Sequence, residues 1–160
     1  MKAVSRMMQP LRDRIMLMVF RAVVRLVDDD AGIQRIQVSG LRGETRDKAE
    51  HFQPYGWTSV AHPDAEAVVI CVGGNRDHPI ILMVDDRRYR IRGLKNGELA
   101  IYTDEDKLDG GHRIHFKRGQ AIEVHAGQEF SVNVGGGASV LTMRPDGTTL
   151  VTPDFEARQS

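Results

Sequence analysis

Glycines recur every eight residues in the second half of the chain, at Gly111, Gly119, Gly127 and Gly135. In each repeat the third and fifth residues after the glycine are apolar and the fourth is polar. The third and fifth residues are Ile114 and Phe116, Ile122 and Val124, Phe130 and Val132, and Ala138 and Val140. Because residues two apart on a strand share a face, each repeat predicts a short strand with two inward side chains.

A strand that directs only two apolar side chains inward cannot form a core alone. The stripe of such a thin ribbon stays in water, and an isolated hairpin is only marginally stable. The same stripe on other copies of the chain is the simplest cover, because ribbons that close around one axis bury every stripe and leave no open edge. The repeat therefore predicts a homo-oligomeric β-prism or β-helix. A meander of one chain, folded back on the first half, is the open alternative.

Apolar runs separated by turns in the first half predict a small antiparallel barrel. Residues 67–72 and 79–84 are continuous apolar runs joined by a polar turn, and residues 87–94 alternate apolar side chains with arginines. Together with residues 20–60 they make about five strands, the size of an OB-fold. We therefore expect an all-β chain that contains a closed or nearly closed barrel.

The start of the chain has a different character. Residues 1–27 contain six Lys and Arg residues against one acidic residue, Asp13. Apolar residues at helical spacing follow Pro10, at Leu11, Ile15, Met18 and Ala22. The pattern predicts a short amphipathic helix after Pro10 that packs on its own domain or on a partner subunit, with a membrane surface as the alternative. The one-sided charge suits docking onto an acidic partner surface.

Charge and cysteine content limit the partners and the compartment. The 160 residues carry 22 Lys and Arg against 22 Asp and Glu, so the excess of positive charge that holds nucleic acid is missing and no nucleic-acid partner is expected. The single cysteine cannot form an intrachain disulfide, which indicates folding in a reducing compartment. No apolar run has the length of a membrane span or the form of a secretory signal.

Residues suited to catalysis or metal binding do not combine into a recognisable site. His112 and His115 are three apart, which on a strand places them on opposite faces. Cys71 lies inside the most apolar run and is expected to be buried, with a raised pKa. We therefore expect no enzymatic activity, no cofactor, and no catalytic or metal-binding residues.

Four segments of the first half resemble a known family. They are Phe52-Gln53-Pro54-Tyr55-Gly56-Trp57-Thr58-Ser59, Ala65-Glu66-Ala67-Val68-Val69, Gly73-Gly74-Asn75-Arg76-Asp77-His78 and Asp85-Asp86-Arg87-Arg88-Tyr89-Arg90. In this order and spacing they resemble the Mu-like phage baseplate spike family, also called baseplate assembly protein V. The similarity extends over about residues 11–103, since 23–29 and 41–44 also resemble the family.

The resemblance implies an OB-fold collar over 1–95 and a trimeric needle, a triple-stranded β-helix or β-prism, over 96–160. The family forms the central spike of a contractile tail and perforates the outer membrane of the host cell. It implies a homotrimer in the tail baseplate of the virion, assembled in the host cytoplasm, with tail tube and baseplate hub proteins as partners. The inward positions of the repeat then become the expected trimer core, namely Ile114, Phe116, Ile122, Val124, Phe130, Val132 and Val140.

The end of the chain departs from the family. Members commonly end in a tip whose His-x-His pair binds iron, and this chain has no such pair. The metal-bearing tip is therefore not expected here. The point of the needle would be either the end near Phe155 or a separate tip protein.

Two functions of other classes stay open. An OB-fold module that binds oligonucleotides or saccharides needs exposed aromatic residues in a positive groove, and this chain has nine aromatic residues and no net charge. A cell-wall hydrolase needs paired carboxylates framed by a cleft-forming domain, for which no segment is large enough.

Overall fold

The computed structural model describes residues 2–40, 44–107 and 111–156, and the chain divides into two compact units, Met1–Arg90 and Ile91–Ser160. The first unit contains α1 (Lys2–Met16), β1 (Val19–Asp28), β2 (Arg35–Ser39), β3 (Thr45–His51), β4 (Glu66–Cys71) and β5 (Pro79–Asp85). The second contains β6 (Leu99–Tyr102), β7 (Arg113–Lys117), β8 (Ala121–His125), β9 (Phe130–Val134), β10 (Ser139–Arg144) and β11 (Gly147–Val151). The expectation of a mostly β chain with a short N-terminal helix is confirmed.

The five strands of the first unit close into a barrel in the order β1-β2-β3-β5-β4. The pairs are antiparallel except β3 with β5, which run parallel, with Glu50 opposite Ile80 and His51 opposite Ile81. The expected five-stranded, OB-like barrel is confirmed, although one of its ladders is parallel. Closure leaves the sheet without a free edge.

Alternation along the strands builds the barrel core. Val24 on β1, Ile36 and Val38 on β2, Val69 on β4 and Ile81 on β5 are completely buried. Burying each such side chain contributes about 1.5–3 kcal/mol to folding. Cys71 is also completely buried, and this burial raises the pKa of its thiol, as expected for a small apolar residue.

The strand expected over 87–94 is wrong. The chain turns there, because the backbone N–H groups of Tyr89 and Arg90 both donate to the carbonyl of Asp86 at 3.1 Å. The Arg88 side chain also donates to the Asp86 carboxylate, from Nε at 2.9 Å and from Nη2 at 2.7 Å. These hydrogen bonds lower the pKa of Asp86 and hold a turn where alternation of apolar and basic residues predicts a strand.

Helix α1 begins before Pro10, which corrects the expected start. A proline removes one hydrogen bond from a helix interior, but the apolar stripe continues on both sides of it. The exposed members of this stripe are Met7, Met8, Leu11 and Ile15. The expected extension to Ala22 is also wrong, because the helix ends at Met16 and Ala22 lies on β1, buried in the barrel.

The second unit consists of two three-stranded antiparallel sheets, β6-β7-β8 and β9-β10-β11. Each glycine of the eight-residue repeat precedes one of the strands β7 to β10, as the repeat predicts. The turn between β7 and β8 requires left-handed backbone at Gly119, with φ of 81°, and at Gln120, with φ of 63°. In the part of the chain that the structure describes, no helix has the length and apolar character needed to cross a membrane.

Candidate functional site

One face of the sheet β6-β7-β8 is entirely apolar. Ile114 lies opposite Ile101 on one side and Val124 on the other, and Phe116 lies likewise opposite Leu99 and Ile122. Directly opposed residues of an antiparallel sheet project to the same side. The structure therefore brings four of the seven expected core residues together, and it adds two. The six residues of this face, called here the first apolar face, are Leu99, Ile101, Ile114, Phe116, Ile122 and Val124.

The opposite face of the same sheet is largely polar. His115 lies opposite Glu123, whose carboxylate accepts a hydrogen bond from Lys117 Nζ at 2.8 Å. The bonds from Lys117 and His125 lower the pKa of Glu123. Glu98 accepts backbone hydrogen bonds, chiefly from the Lys95 N–H at 2.9 Å, which lower its pKa as well. The sheet thus separates a charged face from an apolar one.

The residues that the structure describes leave much of the first apolar face exposed. Ile122 is 63% exposed and Val124 50% exposed. Among the residues that the structure describes between 91 and 156, none is buried, whereas every buried core residue lies in the first unit. The described part of the second unit thus has well-formed strands but no buried core. An apolar surface of this extent is typical of an assembly interface.

The sheet β9-β10-β11 carries a second apolar face. Val132 lies opposite Leu141, which lies opposite Leu150, and Phe130 lies opposite Met143. An open cleft lined by residues of both faces, among them Val124, Phe130 and Met143, makes the two faces contiguous. The second apolar face consists of Phe130, Val132, Val134, Leu141, Met143 and Leu150.

The structure differs from the sequence expectation at Val140. This residue lies opposite Asn133 and Val151, on the other side of the sheet from Phe130 and Val132. Counting from Gly135 assumes an uninterrupted strand, but residues Gly135–Gly137 form a 3-10 turn with positive φ and Ala138 is helical, with φ of −63° and ψ of −35°. The turn resets the alternation, and Leu141 occupies the apolar face instead.

Several residues of these faces were not predicted from the sequence. Leu99 and Ile101 precede the first glycine of the repeat, so counting from glycines could not include them. Their own alternation, apolar at 99 and 101, is the signal that could have found them. Leu141 and Met143 are hidden by the change of phase after the three consecutive glycines.

Comparison with known proteins places the chain in a family. Residues 21–88, which span the barrel, match the family model described as "Bacteriophage Mu Gp45, N-terminal". The baseplate puncturing device gp45 of Escherichia phage Mu is 38% identical over 138 residues, which cover 82% of this chain and 68% of that protein. The chain belongs to the Mu gp45 family. The Mu-like prophage FluMu protein gp45 of Haemophilus influenzae is 39% identical over 124 residues, covering 76% of this chain and 64% of that protein.

The chain thus spans about two thirds of the length of these gp45 relatives. The match to the gp45 family model stops at residue 88, whereas both apolar faces lie beyond it. The 138-residue match to the phage Mu protein is longer than the first unit, so the similarity to gp45 extends into the unit that carries these faces.

Within the region matched by the gp45 family model, buried polar residues close one part of the barrel. Gln34 Nε2 donates to Asp29 Oδ1 at 2.6 Å and to the Ser59 carbonyl at 3.1 Å. Because both partners are acceptors, Gln34 Oε1 accepts from His51 Nδ1 at 2.7 Å, which fixes the Nδ1–H tautomer of the imidazole. Burial lowers the pKa of His51, and no charged group pairs with it in this network.

The gp45-family barrel also carries an exposed aromatic loop, defined here as residues 52–60. The backbone N–H of Ser59 donates to Gln53 Oε1 at 2.8 Å, and Gln53 Nε2 returns a bond to the Ser59 carbonyl at 3.1 Å. The Trp57 N–H donates to the Pro54 carbonyl at 3.0 Å, which closes a turn. Trp57 and Tyr55 are nevertheless exposed. The loop holds its aromatic side chains outside the core on a hydrogen-bonded frame.

The metal-ligating side chains of the described residues are not clustered. In residues 2–40, 44–107 and 111–156 no group of three or more His, Cys, Asp or Glu side chains is placed to hold a metal ion. His112 Nε2 lies 2.7 Å from Thr103 Oγ1. The polar face near His115 is occupied by pairs such as Glu98 and His115, 3.5 Å apart.

Proposed function

We propose that this chain is the puncturing spike at the centre of a contractile phage tail baseplate. The relative from phage Mu bears the name baseplate puncturing device. Spike function requires a stable shape and a partner interface and needs no catalytic residue. The chain would act as a non-enzymatic virion protein, with a collar over 1–95 and a needle over 96–160.

The observation that carries this proposal is the uncovered first apolar face. Its six side chains are aligned on three hydrogen-bonded strands, yet in a single chain five of the six residues, all but Ile101, are at least 37% exposed. Burying large aliphatic and aromatic side chains contributes about 1.5–3 kcal/mol each, so covering the face provides a strong driving force for association. Copies of the chain that turn these faces toward one axis would create the interior that each lacks.

We infer that three copies assemble into a β-prism, in which each wall is supplied by the sheets of one chain. The number three comes from the family resemblance, and the inward direction comes from the register of the sheets. The trimer core would contain Ile114, Phe116, Ile122, Val124, Phe130 and Val132, together with Leu99, Ile101 and Leu141. Val140, on the other face of its sheet, would lie outside this core.

The prism suits a device that transmits force along its axis. Antiparallel strands joined by backbone hydrogen bonds resist deformation together, and a narrow section concentrates the load on a small area of membrane. Contraction of the tail supplies the energy, and the needle contributes stiffness. The transient target is the host outer membrane, and the standing partners are the tail tube and hub proteins. The point of the needle would be either the end near Phe155 or a separate tip protein.

The molar mass in solution tests the assembly. Light scattering after gel filtration should give three times 17.9 kDa, about 54 kDa, at micromolar concentration. A stable monomer would overturn the proposal. Electron microscopy of tails that carry the tagged chain should then place the label at the centre of the baseplate, and label elsewhere would remove the spike function.

A second candidate function has one observation in its favour. The exposed aromatic loop could stack on bases or sugar rings, as expected of an OB-fold that binds an oligonucleotide or a saccharide. Trp57 is the single tryptophan of the chain, so its fluorescence reports directly on this loop. Saturable quenching by a short single-stranded oligonucleotide or an outer-membrane saccharide would support the second function, and unchanged fluorescence would remove it.

A further inference from the structure

Helix α1 carries an apolar stripe that the barrel does not cover. Its side chains at positions 7, 8, 11 and 15 are at least half exposed. At about 100° per residue these positions fall within an arc of roughly 100°, the width of a stripe that normally packs against a core. The stripe, called here the α1 stripe, consists of Met7, Met8, Leu11 and Ile15.

The helix contacts the barrel through Arg14, which lies beside the α1 stripe and is not part of it. A Cβ added to Gly74 would lie 2.8 Å from the Arg14 carbonyl oxygen and 3.0 Å from the Arg14 Cβ. The turn Val72–Gly74 therefore approaches the helix closely at Arg14, which borders the α1 stripe. This contact fixes the helix on the barrel while the stripe stays open to another occupant.

Arginines flank the α1 stripe on both sides. On the helical wheel Arg12 follows one border and Arg14 the other. Both side chains are exposed, and no carboxylate among the described residues forms an ion pair with either. The segment 1–27 carries a net charge of +5, from six basic residues and one acidic residue, in a chain whose total charge is zero. The surroundings of the stripe are thus suited to carboxylates.

This charge pattern disfavours other copies of the same helix as the occupant. Helices that pack through the α1 stripe place the residues at its borders next to one another, as in a coiled coil. In three copies these would be six arginines, and the acidic residue Asp13 lies on the far side of the wheel. The like charges would repel at the seam.

A membrane is also a poor match for the stripe. Helices that lie in a bilayer interface commonly present Trp, Phe and Leu on a broad apolar face, whereas residues 1–19 contain no aromatic residue. Two of the four stripe residues are methionines, whose flexible side chains adapt well to a protein groove. Positions 2 and 6, which are Lys and Arg, fall on the side of the wheel away from the stripe, so only Arg12 and Arg14 border it.

We propose that α1 docks through its stripe into an apolar groove on another tail protein, where carboxylates at the rim bind Arg12 and Arg14. This is the helix-in-groove form of recognition, with apolar anchors at i, i+4 and i+8. The inference rests on the proposed function, because the baseplate supplies the partner. It assigns the helix to attachment, and leaves trimer formation to the second unit.

The test compares matched variants of the full chain as they enter tails that lack it. Leu11→Asp removes an anchor, and Gln9→Asp places the same charge on the exposed far side of the helix. The double variant Arg12→Glu/Arg14→Glu is matched by Arg35→Glu/Arg90→Glu at exposed barrel-unit positions. All variants should form trimers that melt like the wild type. Incorporation into tails should fall at least about ten-fold for Leu11→Asp and for Arg12→Glu/Arg14→Glu, and both controls should be incorporated like the wild type.

A photo-crosslinker at position 11 identifies the occupant directly. Crosslinks to an acidic segment of another tail protein would support the proposal. Crosslinks only to other copies of this chain would overturn it. Binding of the wild type to phosphatidylglycerol-rich vesicles, with no tail protein present, would also overturn it. If Leu11→Asp enters tails like the wild type, only this inference fails. If the wild type itself does not enter tails, the proposed function fails with it.

Discussion

Ile114 on β7 lies directly opposite Val124 on β8, and both side chains project from the first apolar face. In a single chain Ile114 is 37% exposed and Val124 is 50% exposed. Glu123, the neighbour of Val124 along the strand, projects from the opposite, polar face. Adjacent positions of one strand therefore offer a matched test of which face is buried by assembly.

Val124→Asp should destabilise the trimer strongly, whereas Glu123→Ala should have little effect. In the proposed trimer the aspartate would place three carboxylates near one axis, with a cost of several kcal/mol per trimer from desolvation and repulsion. Removing Glu123 breaks only an exposed ion pair with Lys117, which solvent screens, so the loss of stability should be small. Thermal melting of both variants measures the difference. Equal decreases in melting temperature would contradict the inference that Val124 faces the interior of the trimer.

The change of phase at Gly135–Gly137 gives a second comparison. Leu141→Asp should lower the melting temperature of the trimer more than Val140→Asp, because only Leu141 shares a face with Val132. The repeat counted from the glycines predicts the reverse order. The same melting experiment therefore decides whether the register or the eight-residue spacing describes the core.

His51 should make the barrel less stable in acid. Burial lowers its folded pKa below the ordinary value of 6.5, so the unfolded chain binds the proton more readily. Its contribution to stability is complete above about pH 6.5 and is lost as the pH falls from there through the lower folded value. Urea unfolding should show that, between pH 7.5 and 5, His51→Gln loses less unfolding free energy than the wild type. The glutamine amide can still donate to Gln34. The control is His78→Gln, at an exposed position. If the unfolding free energy of His51→Gln depends on pH as strongly as that of the wild type, His51 is not the group responsible.

Gly74→Ala should detach α1 from the barrel. A Cβ there meets backbone and Cβ atoms of Arg14 at 3.0 Å or less, and the φ of +74° adds about 1 kcal/mol of strain for a residue other than glycine. Gly56→Ala has similar strain, with φ of +84°, but open space around it. Hydrogen exchange should show faster exchange over residues 2–16 in Gly74→Ala alone. Equal protection in the two variants would argue against the close contact.

The purified trimer should contain less than about one iron or zinc ion per three chains, because the ligands of a transition-metal tip are missing from the sequence. Nothing after His125 is a histidine or a cysteine. Elemental analysis after dialysis against chelator makes the measurement. A stoichiometric ion that survives this treatment would show that other residues form a site.

The sequence predicts most of the strands because their signals are local. The apolar runs that became β4 and β5, and the repeat that became β7 to β10, depend on alternation and turns within a few residues. The parallel pairing of β3 with β5 joins segments about 30 residues apart and leaves no local signal. The strand expected over 87–94 failed because hydrogen bonds of Arg88 with Asp86 favour a turn over the apolar pattern.

The candidate site was predictable where the repeat is regular and not where it is interrupted. Ile114, Phe116, Ile122 and Val124 share a face because β7 and β8 are separated by a short turn that preserves the phase. Val140 does not join Val132, because a glycine turn and a helical Ala138 lie between the strands. The length of a glycine run is visible in the sequence, but the backbone angles it adopts are not.

The absence of any buried residue among the described part of the second unit has a consequence for how its stability is measured. In the proposed trimer the interior of the needle exists only between chains, so dissociation and unfolding of that unit become one event. Its melting temperature then rises with protein concentration, whereas the barrel, with a core of its own, melts independently of dilution. In a newly synthesised chain the collar could fold by itself, whereas the needle would fold only when two more copies bind.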